Sequence, residues 1–251
     1  SFVKVINQGT EYPLTEVCTN DLPEDILEII AAQLGFSVEQ LASVPVCGYT
    51  SFTLTGDFGE VYELQITTAD GEEMRSVTKI NELVDMQDVR FELSGNSDSL
   101  GFIYGTLVDP DTLGNAYRWF AKRINQYPSW SEHAGEQKDS RFIAPIGSAF
   151  EDSFFNGLTF EFGYFRGSEW QSDKEDDRNE ELGFFKVGDS VVVKGCVIDF
   201  GVYNFVTSFE TNFSSGGNPF TFPANVESNI DGGLGVWAGY GAVLDTIVFE
   251  P

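Results

Sequence analysis

Short runs in which apolar and polar residues alternate constrain the fold of this chain more than any other feature of its sequence. The clearest two runs, residues 61–68 and 74–80, flank the turn Asp70-Gly71 and predict a β-hairpin. Similar runs recur at residues 2–6, 52–55, 89–93, 102–108, 116–123, 141–144, 158–165, 190–199, 235–239 and 245–249. Because the side chains of a strand alternate between the two faces of a sheet, the sequence predicts a mainly β fold.

The length of 251 residues suits one large domain or two smaller ones. A polar stretch rich in Gly and Ser, at residues 94–101, predicts a domain boundary. We expect residues 1–97 to form an immunoglobulin-like β-sandwich, since its short strands have the spacing of such domains. We expect residues 98–251 to form a larger antiparallel β domain with one packed helix near residues 202–213, where aromatic residues recur at helical spacing.

Residues 18–47 interrupt the strand pattern and predict a helical hairpin inserted between two strands. Pro23 suits a first helical turn, and apolar residues then recur at helical spacing up to Gly35. These apolar residues are Ile26, Leu27, Ile29, Ile30 and Leu34. Ser37 and Gln40 have the spacing of a capping box, which predicts a second short helix.

Cys18 and Cys47 stand at the two ends of this insertion. We expect them to form a disulfide, which implies an oxidising compartment and a stabilisation of about 3–4 kcal/mol in the chain-entropy model. Two unpaired cysteines that pack as small apolar side chains are the alternative. Cys196 lies in an apolar run, where we expect a buried thiol.

The chain is strongly acidic, with 14 Lys and Arg against 40 Asp and Glu and a net charge of −26. This charge argues against nucleic acid as a partner, since affinity for the phosphate backbone comes from Lys and Arg. It also argues against electrostatic adsorption to anionic lipid. A hydrophobic fraction of 41% excludes a globally disordered chain.

The sequence begins inside the predicted strand at residues 2–6. It contains no signal-peptide pattern and no apolar run of about 20 residues, the length that a membrane helix needs. We therefore expect the native N-terminus to precede Ser1.

No residue pattern in the chain points to catalysis. The single histidine, His133, lies in a polar stretch, and no Gly-x-Ser-x-Gly motif accompanies it. A carboxylate-pair hydrolase is an alternative, because among 40 acidic residues some pair of carboxylates meets the required separation by chance. Three scattered cysteines and one histidine lack the spacing of a zinc site. We expect no catalytic residue, no cofactor and no metal.

Two acidic segments offer oxygen ligands at short spacing. Asp109-Pro-Asp111 followed by Gly114-Asn115 is typical of a turn between strands, and a cation site is the alternative. We expect the acidic run at residues 171–181 to be a solvated surface loop, and a segment that binds a cation or a basic partner is the alternative.

Several motifs occur in the order that is typical of one known protein family. They are Gly59-Glu-Val-Tyr-Glu-Leu-Gln-Ile66 with Asp70-Gly71, Asp109-Pro with Asn115-Ala-Tyr-Arg118, Asp152-Ser-Phe-Phe-Asn-Gly157, Gly188-Asp-Ser-Val-Val-Val193, Val202-Tyr-Asn-Phe205, and the closing segment from Asn218 to Gly239. With these motifs the chain resembles the DUF4249 family of Bacteroidota lipoproteins, a domain of unknown function. The residues that carry the signature are Asn115, Tyr117, Arg118, Asn156, Gly157, Gly188, Asp189, Asn218, Pro219, Asn225, Asn229, Gly232, Gly233 and Gly235.

The resemblance implies an outer-membrane lipoprotein, on the cell surface or the periplasmic face, held by an N-terminal lipid anchor that is not in this sequence. It also implies a non-enzymatic accessory subunit of a TonB-dependent transporter or of a larger envelope complex. Three loops, at residues 18–47, 124–140 and 171–182, are the segments we expect to contact a partner. The signature residues are expected to be structural, with the Asn229 side chain binding loop backbone.

A stand-alone glycan- or peptide-binding surface module is the alternative function. Exposed aromatic side chains such as Trp130 or Trp170 would then contact the ligand.

Overall fold

The computed structural model describes residues 1–34, 36–44, 46–128, 137–167, 183–215 and 225–249. This part of the chain is mainly β, with several antiparallel sheets and few helices, so the predicted fold class is confirmed. The immunoglobulin-like arrangement of residues 1–97 stays a prediction.

The secondary structure is as follows, in chain order. The strands are β1 (Phe2–Asn7), β2 (Thr10–Pro13), β3 (Thr15–Cys18), β4 (Cys47–Thr50), β5 (Val61–Thr67), β6 (Glu73–Lys79), β7 (Met86–Leu93), β8 (Leu100–Val108), β9 (Ala116–Arg123), β10 (Tyr127–Pro128), β11 (Gln137–Lys138), β12 (Ala149–Glu151), β13 (Thr159–Tyr164), β14 (Phe185–Lys186), β15 (Ser190–Ile198), β16 (Ile230–Asp231) and β17 (Tyr240–Val248). The α-helices are α1 (Glu24–Leu34), α2 (Val38–Ser43) and α3 (Phe200–Ser215), and short 3-10 turns lie at Thr19–Asp21 and Asp152–Phe154.

The first antiparallel sheet has the strand order β16-β6-β5-β1-β2. The predicted hairpin is confirmed, because β5 and β6 pair along their whole length. Its buried face carries Val3 and Val5 of β1 together with Tyr62 and Leu64 of β5. Val3 and Val5 are two positions apart, and so are Tyr62 and Leu64. Because strand side chains alternate between the two faces of a sheet, all four side chains lie on one face.

The strand predicted at residues 52–55 was wrong, because residues 52–53 form a bend and residues 54–55 belong to no strand. The Ser51 hydroxyl accepts hydrogen bonds from the amides of Thr53 and Leu54, at 3.3 and 3.2 Å. A side chain that binds neighbouring backbone in this way competes with strand pairing.

The predicted helical hairpin forms at the ends of the paired strands β3 and β4. Cys18 and Cys47 form the expected disulfide at its base, with their Cα atoms 4.0 Å apart. The predicted capping box starts α2: the Ser37 hydroxyl accepts from the Gln40 amide at 3.2 Å, and Gln40 Oε1 accepts from the Ser37 amide at 2.8 Å. The insertion is thus closed covalently and capped locally. Gly35, the predicted end of the first helix, lies outside the described residues.

Two further antiparallel sheets face each other across a second core. One has the strand order β12-β9-β15-β17, and in the other β8 pairs with β7 on one side and with β13 and β14 on the other. Their shared core contains Ile103, Trp119, Ala121, Phe185, Val191, Val193 and Phe249. The Cys196 thiol is buried, as expected.

The chain divides into two compact units, Ser1–Glu82 with Ile198–Gly241, and Leu83–Val197 with Ala242–Pro251. This division differs from the boundary predicted near residue 97. The Gly- and Ser-rich stretch is a hairpin turn, in which the Ser94 amide donates to the Leu100 carbonyl at 2.8 Å and joins β7 to β8.

Helix α3, expected within residues 98–251, lies in the first unit. Its first turn is capped by Asp199, whose carboxylate accepts from the Val202 amide at 3.0 Å. The same carboxylate accepts from the Thr78 hydroxyl and from the Lys79 amide of β6. One side chain therefore caps the helix and attaches it to the first sheet.

Candidate functional site

Two signature motifs of the second unit meet at the Asp109 carboxylate. This buried group follows β8 and accepts hydrogen bonds from the Tyr117 hydroxyl and from the Gly157 amide, the latter at 2.9 Å. Tyr117 lies on β9, and Gly157 lies in the turn before β13. Burial, and then the bond to Asp109, raises the pKa of Tyr117 far above its ordinary value, so its hydroxyl remains a donor.

A second buried carboxylate, Asp152, holds the same two motifs together. It accepts hydrogen bonds from the Gly114 and Asn115 amides, each at 2.9 Å, and from Asn115 Nδ2 at 3.2 Å. Its side chain is fully buried, so these donors replace the water that a carboxylate would otherwise bind. Asp152 lies within a signature motif but was not predicted as a site residue.

These contacts help to decide whether Asp109 and Asp111 belong to a turn between strands or to a cation site. The Asp109 oxygens bind donors of the chain itself, and Asp111 Oδ1 lies 3.5 Å from Asn156 Nδ2. Among the residues the structure describes, no group of three or more His, Cys, Asp or Glu side chains could hold a metal ion. The contacts therefore favour the turn interpretation.

The Gly188-Asp189 motif forms the turn before β15. The buried Asp189 carboxylate accepts from Asn125 Nδ2 at 2.6 Å and from the Lys186 amide at 2.9 Å. Gly188 has φ +94°, in the region that L side chains rarely adopt. The motif is thus a glycine-dependent turn with a buried carboxylate at its centre.

The closing signature segment binds the first sheet through its own backbone. Asn229 Oδ1 accepts from the Trp237 amide at 2.8 Å, and Asn229 Nδ2 donates to the Trp237 carbonyl at 2.7 Å, as expected for this side chain. Trp237 Nε1 in turn donates to the Tyr62 carbonyl at 3.2 Å. Because the Asn229 side chain occupies both backbone groups of Trp237, the strand predicted at residues 235–239 is a loop.

The glycines of this segment allow a close approach of two backbones. A Cβ at Gly232, which has φ +79°, would stand 2.7 Å from the Glu73 carbonyl oxygen. A Cβ at Gly233 would stand 2.9 Å from Met74 Sδ, and Gly235 has φ +139°. These glycines therefore permit backbone conformations and close contacts that a side chain would hinder.

Arg118, the remaining residue of the Asn-x-Tyr-Arg motif, lies beside aromatic rings. Its Cζ is 5.0 Å from the centre of the Phe120 ring, and Lys194 Nζ is 4.2 Å from that ring and 4.7 Å from the ring of Phe142. Burial, with a smaller contribution from Arg118, lowers the pKa of Lys194. Burial also raises the pKa of the nearby Cys196 thiol to about 11.

Sequence analysis missed a buried ion pair in the second unit. Asp139 accepts from Arg123 Nη2 and from the Arg123 amide, each at 2.7 Å, and Arg166 Nη1 lies 3.9 Å from it. These residues come from three separate segments with no shared motif. The one signal in the sequence was Arg123, which stands at a core-facing position in the alternating pattern of residues 116–123.

Several residues that the sequence analysis considered lie outside the described part of the chain. They are the signature residues Asn218 and Pro219, the aromatic residues Trp130 and Trp170 of the alternative function, His133, and the acidic run 171–181. Asn225 is described and is exposed.

The helical insertion carries exposed apolar side chains. We call them the hairpin surface, which consists of Ile26, Ile29, Leu34, Phe36, Val44 and Val46. The chain between Cys18 and Cys47 also holds five acidic residues and no basic residue, namely Asp21, Glu24, Asp25, Glu28 and Glu39. The insertion therefore combines apolar area with negative charge.

Comparison with known proteins identifies one family. No curated protein and no solved structure matches this chain. Among the described helices, none is long and apolar enough to cross a bilayer. The model of the family described as Domain of unknown function (DUF4249) matches residues 3–243. The chain therefore belongs to the DUF4249 family.

Proposed function

We propose that this protein is a non-enzymatic lipoprotein of the Bacteroidota outer membrane, an accessory subunit of a TonB-dependent transporter or of a larger envelope complex. A lipid anchor preceding Ser1 is part of the proposal. The observation that carries it is the hairpin surface, a set of exposed apolar side chains on an insertion that is closed by a disulfide.

Exposed apolar side chains on an insertion closed by a disulfide are suited to contact with another protein. Ile29 is 54% exposed and Ile26 is 39% exposed, on neighbouring positions of α1. Burying such a side chain against a partner contributes roughly 1.5–3 kcal/mol. Because the Cys18–Cys47 disulfide already restricts the insertion, less conformational freedom is lost on binding.

The charge of the insertion indicates the chemistry of its partner. Asp25 and Glu28 alternate with Ile26 and Ile29 along α1. An apolar groove rimmed by Lys or Arg would match both features, since opposite charges favour encounter and correct orientation.

Co-purification from detergent-solubilised outer membranes of the native host tests the proposal. Mass spectrometry should identify a TonB-dependent transporter or other envelope subunits among the associated chains. The double substitution Ile26→Ser with Ile29→Ser should lower their recovery about 10-fold or more, because two apolar anchors are lost.

Val77→Ser is the matched control, since Val77 is 56% exposed but lies on β6, outside the insertion. We expect this variant to recover the same chains as the unchanged protein. A protein that elutes alone, or hairpin variants that keep all partners, would contradict the proposal.

A second candidate function is a stand-alone glycan- or peptide-binding module. The arrangement of Arg118 and Lys194 against Phe120 favours it, because cations and rings on one face suit a ligand with acidic and apolar parts. Elution of the protein alone, together with retention on an immobilised acidic glycan, would support this function instead.

A further inference from the structure

Two neighbouring turns of the second unit carry exposed apolar side chains. The turn at residues 109–115, between β8 and β9, holds Leu113, which is 69% exposed. The segment at residues 151–158, which leads from β12 to β13, holds Phe154, 93% exposed, and Leu158, 56% exposed. We call these three side chains the tip surface. Single exposed apolar residues are ordinary, but three on turns that contact each other mark a candidate interaction surface.

Hydrogen bonds hold the two turns together beneath the tip surface. The Asp152 carboxylate accepts from the Gly114 amide at 2.9 Å, directly after Leu113 in the chain. The Asp109 amide donates to the Leu158 carbonyl at 3.1 Å. The backbone that carries the tip surface is therefore positioned before any partner binds, which lowers the conformational cost of binding.

The packing of the chain does not use Phe154. The next residue, Phe155, already anchors this segment, because the centre of its ring lies 4.1 Å from that of Phe160 and 6.4 Å from that of Tyr117. The Phe154 ring lies in solvent, where its apolar area contributes almost nothing to folding. Burial of such a ring by a partner contributes roughly 1.5–3 kcal/mol.

The charge of the two turns indicates what covers the tip surface. Together they hold four acidic residues and no Lys or Arg. Asp109 and Asp152 are buried and bound by donors of the chain itself. Asp111 is exposed and Glu151 is half-buried, so these two supply the charge that a partner meets. A second copy would bring like charges together, and an anionic lipid surface would repel them, whereas a basic protein surface would attract them.

We propose that the tip surface docks into an apolar pocket of a partner protein, and that Lys or Arg side chains line the rim of this pocket. The Phe154 ring enters the pocket, Leu113 and Leu158 cover its edge, and Asp111 faces a basic side chain. This surface is separate from the hairpin surface and does not depend on the proposed function.

Photo-cross-linking from position 154 in cells of the native host tests the assignment directly. The substitution Phe154→p-benzoylphenylalanine keeps an aromatic ring there, and mass spectrometry of the cross-linked peptide identifies what covers it. We expect a peptide of one partner protein, with apolar residues and Lys or Arg close to the cross-linked position. The same substitution at Phe52, which is 90% exposed and lies in the first unit, is the matched control and should not capture that peptide.

Two variants test the apolar contact and the charge separately. Leu113→Ser with Leu158→Ser should lower the cross-link yield at position 154 about 10-fold, because two apolar contacts are lost. Asp111→Lys should lower it about 10-fold at low ionic strength and less in high salt. Asp70→Lys makes the same charge change at an exposed turn of the first unit and should leave the yield unchanged.

Several outcomes would overturn the proposal. They are the absence of a cross-link at position 154, a cross-link to lipid or to a second copy of this chain, a captured peptide without basic residues, and a yield that either variant leaves unchanged. The cross-link is read at position 154 alone, so its failure is distinguishable from a failure of the hairpin surface to recover partners.

Discussion

The hydroxyl of Tyr117 provides a direct measure of how much the signature network stabilises this fold. Tyr117 is 3% exposed, and its hydroxyl donates to Asp109, which is equally buried. The other oxygen of Asp109 accepts from the Gly157 amide at 2.9 Å. Tyr117→Phe therefore removes one of two donors from a buried carboxylate while it keeps the aromatic ring.

The expected loss follows from these contacts. A hydrogen bond to a charged group contributes about 1.5–3 kcal/mol, and a buried acceptor left without its donor adds a desolvation penalty. We expect Tyr117→Phe to lower the free energy of unfolding by about 2–3 kcal/mol. The vacated space is only one oxygen atom, so the cavity contribution is small.

Urea unfolding followed by far-ultraviolet circular dichroism measures this change. A double-mutant cycle with Asp109→Asn isolates the bond itself, because the amide keeps the shape of the carboxylate and removes its charge. In the double variant the amide oxygen can still accept from Gly157. We therefore expect the two changes to be less than additive, with a coupling energy of about 1–2 kcal/mol.

Tyr12→Phe is the matched control, because Tyr12 is half-buried on β2 and its hydroxyl makes no hydrogen bond among the described residues. Its free energy of unfolding should change by less than about 0.5 kcal/mol. Equal effects of the two Tyr→Phe changes, or strict additivity in the cycle, would refute the reasoning.

Three further predictions address other parts of the molecule. The ¹³Cβ NMR signal of native Cys196 should titrate with a midpoint near pH 11 instead of the ordinary 9.0. Because folding raises this pKa, the buried neutral thiol contributes about 2–3 kcal/mol to the free energy of unfolding below pH 9, and this contribution is lost between pH 9 and 11. Cys196→Ser should remove this decrease of the free energy of unfolding with pH. Asn229→Ala should cost about 1–3 kcal/mol in urea unfolding and lower the hydrogen-exchange protection of the Trp237 amide, whereas Asn225→Ala at an exposed position should change neither. Replacing both Cys18 and Cys47 by Ala should cost about 3–4 kcal/mol, and adding reductant to the unchanged protein should cost about the same; a stability that reductant leaves unaltered would contradict a native disulfide.

Features encoded within a few neighbouring residues were predictable from the sequence. Strand β9 has the predicted bounds because its alternation is a local pattern. The capping box of Ser37 and Gln40 was predictable for the same reason, since both partners lie within one turn. Asn229 was expected to bind loop backbone, but its partner, Trp237, was not identified.

Features that depend on pairing between distant segments were not predictable. Residues 94–99 have the composition of a linker, yet pairing of β7 with β8 makes them a turn. The fully buried Asp152 meets amides 37 and 38 positions away, so its role depends on the tertiary fold. The strand expected at residues 235–239 does not form, because the Asn229 side chain, and not a neighbouring strand, hydrogen-bonds to the backbone of Trp237.

The disulfide at the base of the insertion makes this arm exchangeable. Cys18, the last residue of β3, lies directly opposite Cys47, the first residue of β4. The distance between these two strand ends is therefore fixed, whatever the length of the chain that connects them. A two-residue turn joining Val17 to Gly48 should leave the sheet intact, because those residues already face each other. An arm of different length or charge could therefore be grafted at this place, which would alter what the protein recognises while its scaffold stays the same.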